Sequence, residues 1–110
     1  MPVLKVIRGD CQAKMFELEF DMTVIGRHPK CEVTLEHPAV SRRNTLIERE
    51  DDCYFITDLG SHNRTIVNGE PISDRVELCD GDEIQICGYV LQFILQPSHL
   101  NDGSIRELVG

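Results

Sequence analysis

Three short stretches of the chain gather side chains that can grip an anion. They are Gly26-Arg27-His28-Pro29-Lys30, Pro38-Ala39-Val40-Ser41-Arg42-Arg43-Asn44 and Gly60-Ser61-His62-Asn63-Arg64. Of the 11 Lys and Arg in the sequence, Arg27, Lys30, Arg42, Arg43 and Arg64 lie in these stretches, with His28 and His62 beside them. Arg forks, hydroxyls and backbone N–H groups brought to one point suit a phosphate, which carries about −1.5 to −2 charge and three strong acceptor oxygens. Each charge-assisted hydrogen bond to it contributes about 1.5–3 kcal/mol.

Other chemistries find less support in the same residues. Cys31 or Ser41 could act as a nucleophile with His28 or His37, but no third residue completes the base-and-orienter chain a hydrolase needs. The five cysteines, Cys11, Cys31, Cys53, Cys79 and Cys87, form no CxxC, which argues against zinc, and no metal or cofactor is expected. Their odd number reads as reduced thiols in a cytoplasm, most of them serving as small core hydrophobes. Asn63-Arg64-Thr65 is formally a glycosylation sequon, which a cytosolic chain does not use. The net charge of −8 and sequence pI of about 4.8 argue against a nucleic-acid partner, whose binders carry a basic footprint.

The elements that must hold these stretches read as strands. Apolar and polar residues alternate in FELEF, where Phe16, Leu18 and Phe20 are expected on one face and Glu17 and Glu19 on the other. EVTL, TLIE, YFITDL, VEL, EIQI and YVLQFIL are short and rich in β-branched or aromatic residues. Turn formers separate them at Gly9-Asp10, His28-Pro29-Lys30, Asn68-Gly69, Asp80-Gly81 and Cys87-Gly88, and Asn68-Gly69 predicts a two-residue hairpin. About ten short strands at this spacing predict a β-sandwich, whose loops collect at its two ends. At 110 residues the chain is expected to be one domain, with no membrane span and no signal peptide. Residues 97–110 read as a tail or linker, in which Ser104 and Glu107 could form a capping box.

Taken jointly, Gly26-Arg27, Ser41-Arg42-Arg43-Asn44 and the segment LGSHNRTIVNG resemble the forkhead-associated (FHA) domain over residues 3 to 96. The resemblance implies an all-β, eleven-stranded antiparallel sandwich over residues 1–96. It also implies a module that recognises phosphothreonine in a partner protein and is not an enzyme. By that resemblance Arg27 and Ser41 contact the phosphate, Arg42 lies near it, and His62 reaches the phosphothreonine. Asn63 holds the peptide backbone, and Gly26 lets the first loop turn. Arg43 is read as solvated, Asp58 as a turn acid.

Two positions depart from the family pattern. Asn44 stands in place of a buttressing His, and the shorter side chain predicts a weaker brace. Arg64 stands in place of Gly, either strained at positive φ or, in a turn of another shape, adding a cation beside the ligand. The expected partner is a phosphothreonine-containing protein, a Ser/Thr kinase or its substrate. The alternative is an FHA-like scaffold or dimerisation domain that binds without phosphate.

Overall fold

The computed structural model describes residues 1–10 and 14–95. Cys11 and the tail after residue 96, with the Ser104–Glu107 capping box, lie outside the described residues. Eleven strands follow one another: β1 Val3–Arg8, β2 Met15–Glu17, β3 Met22–Gly26, β4 Val33–Thr34, β5 Thr45–Glu50, β6 Cys53–Asp58, β7 Ile66–Val67, β8 Glu70–Pro71, β9 Val76–Leu78, β10 Glu83–Ile86 and β11 Tyr89–Ile94. They form a six-stranded sheet in the order β2-β1-β11-β10-β7-β8 and a five-stranded sheet in the order β4-β3-β5-β6-β9.

Alternation decides which side chains fill the space between the sheets. On β10, Ile84 and Ile86 are fully buried while Glu83 and Gln85 face solvent. Leu4 and Val6 on β1 and Leu91 and Phe93 on β11 point the same way, in a register that pairs Leu4 with Phe93 and Val6 with Leu91. The opposite sheet contributes Ile25, Ile47 and Ile56. Tyr54 of that sheet meets Phe93 of the first at a ring separation of 5.5 Å, closing the two layers on each other. Each such aliphatic or aromatic side chain contributes about 1.5–3 kcal/mol by leaving water. The Asn68-Gly69 turn joins β7 to β8 with both residues at positive φ, 51° and 86°, as a two-residue turn between twisted strands requires.

The fold departs from the sequence expectation in three places. β2 stops at Glu17 because its partner, β1, begins at Val3, which pairs with Glu17. One further bond, from the Leu18 N–H to the Pro2 carbonyl, carries Leu18 into the core. The pairing goes no further, and Phe20 turns outward, 62% exposed. The sandwich is not wholly antiparallel: β4 runs parallel to β3, pairing Ile25 with Val33 and Gly26 with Thr34. Residues 27–32 are far too few for the crossover a parallel pair normally needs. They coil instead into a closed loop, fastened by the Cys31 N–H on the His28 carbonyl and continued by the Leu35 N–H on the Gly26 carbonyl. Finally, of the four described cysteines, all free, only Cys31 is buried; Cys53 and Cys79 lie at strand ends facing solvent, and Cys87 is half-buried.

Candidate functional site

The three polar stretches become three loops at one end of the sandwich: residues 27–32 between β3 and β4, residues 35–44 between β4 and β5, and residues 59–65 between β6 and β7. The first two are laced together by backbone. The Arg27 N–H donates to the Ser41 carbonyl at 3.0 Å, the His28 N–H to the Arg42 carbonyl at 3.2 Å, and the Asn44 N–H to the Ile25 carbonyl at 2.8 Å. This lacing explains Gly26. Its φ is not left-handed, so it is not required to make the loop turn. A Cβ there would instead overlap the Arg42 carbonyl group and lie 3.0 Å from the Arg43 Cα. Glycine is needed because the second loop passes directly over it.

Two buried pins fix the second loop. Val40 inserts into the core at 1% exposure, and Asn44 is fully buried. Ser41, Arg42 and Arg43 lie between them and are held facing outward. The Arg27 Nε–H donates to the Val40 carbonyl at 3.0 Å, which aims the guanidinium along the loop. Its terminal amino groups make no hydrogen bond or ion pair with the described residues and are available to a ligand.

The third loop is tied to the second through the residues singled out in the sequence. The His62 N–H donates to Ser41 Oγ at 3.0 Å, and Asn63 Nδ2 donates to the Ala39 carbonyl at 3.3 Å. Cys87, on the β10–β11 turn, also donates its thiol to the Ala39 carbonyl, at 3.1 Å. Arg27, Ser41, Arg42, His62 and Asn63 therefore share one end of the domain. Arg64 does not join them. Its φ is not positive, so no backbone strain attaches to it, and its Nη2 donates to the Ile72 carbonyl at 3.1 Å and to Ser73 Oγ at 2.8 Å. The guanidinium fastens the third loop to the segment after β8. Neither expectation for Arg64, strain at positive φ or a cation beside the ligand, is met here, because the Ile72 carbonyl and Ser73 Oγ hold the guanidinium.

Behind the loops runs a buried polar chain. Asn44 Oδ1 accepts the Ser41 N–H at 3.1 Å, and its Nδ2 donates to Thr45 Oγ1 at 3.0 Å. Thr45 and Thr65 hydroxyls lie 2.8 Å apart, and Thr65 Oγ1 donates to Asp58 Oδ1 at 2.7 Å. With one proton per hydroxyl, the chain has one direction: Asn44 amide to Thr45, Thr45 to Thr65, Thr65 to the Asp58 carboxylate. A chain ordered in this way polarises each bond toward the charge at its end. Asp58 also accepts from the Ser61 hydroxyl, the Ser61 N–H and the Thr65 N–H. Burial alone would raise its pKa, but these hydrogen bonds to the ionised form together outweigh burial and hold it below the ordinary carboxylate value. Asn44 thus ties the second loop to Thr45 and leaves no buried side-chain polar atom unpaired among the described residues. Thr45 and Thr65 were missed in the sequence. Their signal was weak: Thr45 opens β5 and Thr65 is the last residue before β7.

A search of family models matches the FHA domain over residues 23–87. The chain is 40% identical over 95 residues to the oxoglutarate dehydrogenase inhibitor of Corynebacterium diphtheriae, covering 86% of this chain and 66% of that protein. It is 37% identical over 100 residues to the glycogen accumulation regulator GarA of Mycobacterium tuberculosis, covering 91% of this chain and 61% of the relative. The chain thus spans less than two thirds of the length of both. Among solved structures, Mycobacterium tuberculosis EmbR in complex with a low-affinity phosphopeptide superposes with a TM-score of 0.80 at 32% identity, over 86% of this chain and 24% of EmbR. The matched family, the two-sheet architecture and the three convergent loops agree: the chain belongs to the FHA domain family.

Proposed function

We propose that this domain docks onto a phosphothreonine-containing segment of a partner protein through the three-loop end of the sandwich. Arg27 and Ser41 take the phosphate, the Arg42 side of the second loop lies beside it, and Asn63 orients the peptide backbone. One observation carries the reading. Ser41 Oγ accepts from the His62 N–H, so its own proton is left to donate outward, and Arg27, whose backbone N–H donates to the Ser41 carbonyl, keeps its terminal amino groups unpaired. Such donors in an otherwise acidic chain support recognition of a phosphate through its oxygens. The domain acts by binding and not by catalysis. Two relatives are named as an inhibitor and a regulator, which supports a regulatory role for the parent protein and a phosphorylated enzyme or kinase as partner. Free thiols at Cys31, Cys53, Cys79 and Cys87 support action in the cytoplasm.

The phosphate-independent scaffold drew on the departures at Asn44 and Arg64. Asn44 is fully hydrogen-bonded and Arg64 is unstrained, so neither residue favours that alternative. Calorimetric titration with a degenerate phosphothreonine peptide library, before and after phosphatase, tests the proposal. Binding that vanishes with the phosphate is expected; binding that survives its removal would return the scaffold.

A further inference from the structure

On the far side of the laced loops lies a cleft of about 500 Å³, lined by Val24, His28, Lys30, Cys31, Glu32, Arg42 and Arg43. It adjoins the phosphate site by construction. Arg27 and His28 are consecutive, as are Ser41 and Arg42: Arg27 and Ser41 serve the proposed three-loop site, His28 lines the cleft, and Arg42 stands at the border between the two.

The charge of the cleft is out of keeping with the rest of the domain. Lys30, Arg42 and Arg43 make no ion pair with the described residues, although the chain carries 19 carboxylates. The ion pairs among the described residues all use Arg49 and Arg75, on strands of the five-stranded sheet and its flank. His28 adds a donor. Its Nδ1 accepts the Lys30 N–H at 3.0 Å, which leaves the ring proton on Nε2. Glu32 is the one carboxylate in the lining, and its Oε1 is already engaged by the Val24 N–H at 2.7 Å. The floor is apolar. Val24 is half-buried and the Cys31 thiol, buried and donating to the Arg42 carbonyl at 3.3 Å, stays neutral. Three unpaired cations gathered over an apolar floor add their pull on an anion, and because all three are exposed that pull is sensitive to salt.

We propose that the cleft formed by His28, Lys30, Arg42 and Arg43 is a second anion subsite, which takes a second phosphoryl group carried on the same partner segment as the phosphothreonine. The inference rests on the proposed phosphothreonine site and deepens it: the domain reads a doubly phosphorylated segment in preference to a singly phosphorylated one. A phosphoryl group supplies the charge and three acceptors that three cations and an imidazole N–H can satisfy together, which a carboxylate does not. Because the two sites share adjacent residues, the two phosphates are separated by only a few residues of extended peptide, at about 3.3 Å each. Arg43, read as a solvated charge from the sequence, becomes a specificity residue.

The test is a set of peptides with one phosphothreonine and a second phosphoserine placed two to five residues away on either side, measured by calorimetry. At one spacing the doubly phosphorylated peptide is expected to bind about tenfold tighter, the value of one charge-assisted contact. The gain should shrink as salt is added. Lys30→Ala with Arg43→Ala should remove that gain while leaving affinity for the singly phosphorylated peptide, and the melting temperature, unchanged. A glutamate at the second position should recover only part of the gain; an equal gain would overturn the assignment to a phosphoryl group. Equal affinity for single and double phosphopeptides at every spacing, with single binding intact, would overturn the subsite alone. So would a gain that survives the double substitution. Loss of all phosphopeptide binding would overturn the underlying function together with the subsite.

Discussion

The backbone N–H of His62 donates to Ser41 Oγ at 3.0 Å, across two loops that are separated by a whole β-hairpin in sequence. One hydroxyl therefore accepts from the third loop and keeps its own proton free for the proposed phosphate contact. Ser41→Ala removes both. Affinity for a phosphothreonine peptide is expected to fall by about 1.5–3 kcal/mol, one charge-assisted bond. Stability should change little, because Ser41 is only half-buried and the His62 N–H can turn to water. Calorimetry and a melting curve on the same variant check the two halves.

Arg27→Ala is expected to abolish measurable phosphopeptide binding, a loss of about 2–5 kcal/mol for a partner of a desolvated charge. The lost Nε–Val40 bond should cost stability only about 0.5–1.5 kcal/mol. Arg27→Lys keeps the charge but not the fork or the Nε bond, and should bind between the two. Wild-type affinity in Arg27→Ala would remove Arg27 from the site.

Asn44→Ala strips the brace from behind the loops. It leaves the Ser41 N–H and the Thr45 hydroxyl without their partner at a fully buried position. An unsatisfied buried group costs about 1–3 kcal/mol, so the denaturant midpoint should drop with no change in its slope. Phosphopeptide affinity should fall as well, since Ser41 is held by the amide that is lost. An unchanged midpoint would show that water replaces the side chain.

Arg64→Gly is expected to destabilise the domain. There is no left-handed strain to relieve, the bonds to Ile72 and Ser73 are lost, and glycine adds unfolded-state entropy. About 0.5–1 kcal/mol follows from the glycine alone. The salt dependence of phosphopeptide binding should stay as in the wild type, because the guanidinium faces the segment after β8. A flatter salt slope in the variant would place Arg64 beside the ligand after all.

Asp58 makes the site loop acid-sensitive. Its pKa is lower folded than unfolded, since burial is outweighed by hydrogen bonds from Ser61 and Thr65. The sign follows: the unfolded state binds the proton more readily, so the stability Asp58 contributes is fully present above the unfolded value of about 3.9. It is lost as pH falls through the lower folded value. Wild type should therefore lose stability below about pH 4 more steeply than Asp58→Asn, which no longer carries the ionisable carboxyl. Parallel pH curves for the two proteins would show that the carboxylate is not stabilised in the fold.

The sandwich was legible because its information is local. Alternation at Ile84 and Ile86, the Asn68-Gly69 turn and the loop cations all lie within windows of a few residues, and each acts through geometry that a short segment sets by itself. The family resemblance carried by Gly26-Arg27, Ser41 and Asn63 likewise implied that three stretches share one site. What the sequence could not contain were relations between residues far apart along it. Phe20 follows the alternation but is exposed because β1 ends before it can be paired. β4 is parallel because the first loop coils back on itself. Arg64 is turned to the segment after β8 because the Ile72 carbonyl and Ser73 Oγ stand beside it, and Asn44 is fully bonded because Thr45 on β5 and Thr65 at the end of the third loop share its chain of hydrogen bonds. Arg43 makes no ion pair with the described residues, and Glu32, the carboxylate lining the same cleft, accepts from the Val24 N–H. Side-chain direction and charge pairing depend on which distant groups share a few ångströms, and only the folded chain brings those groups together.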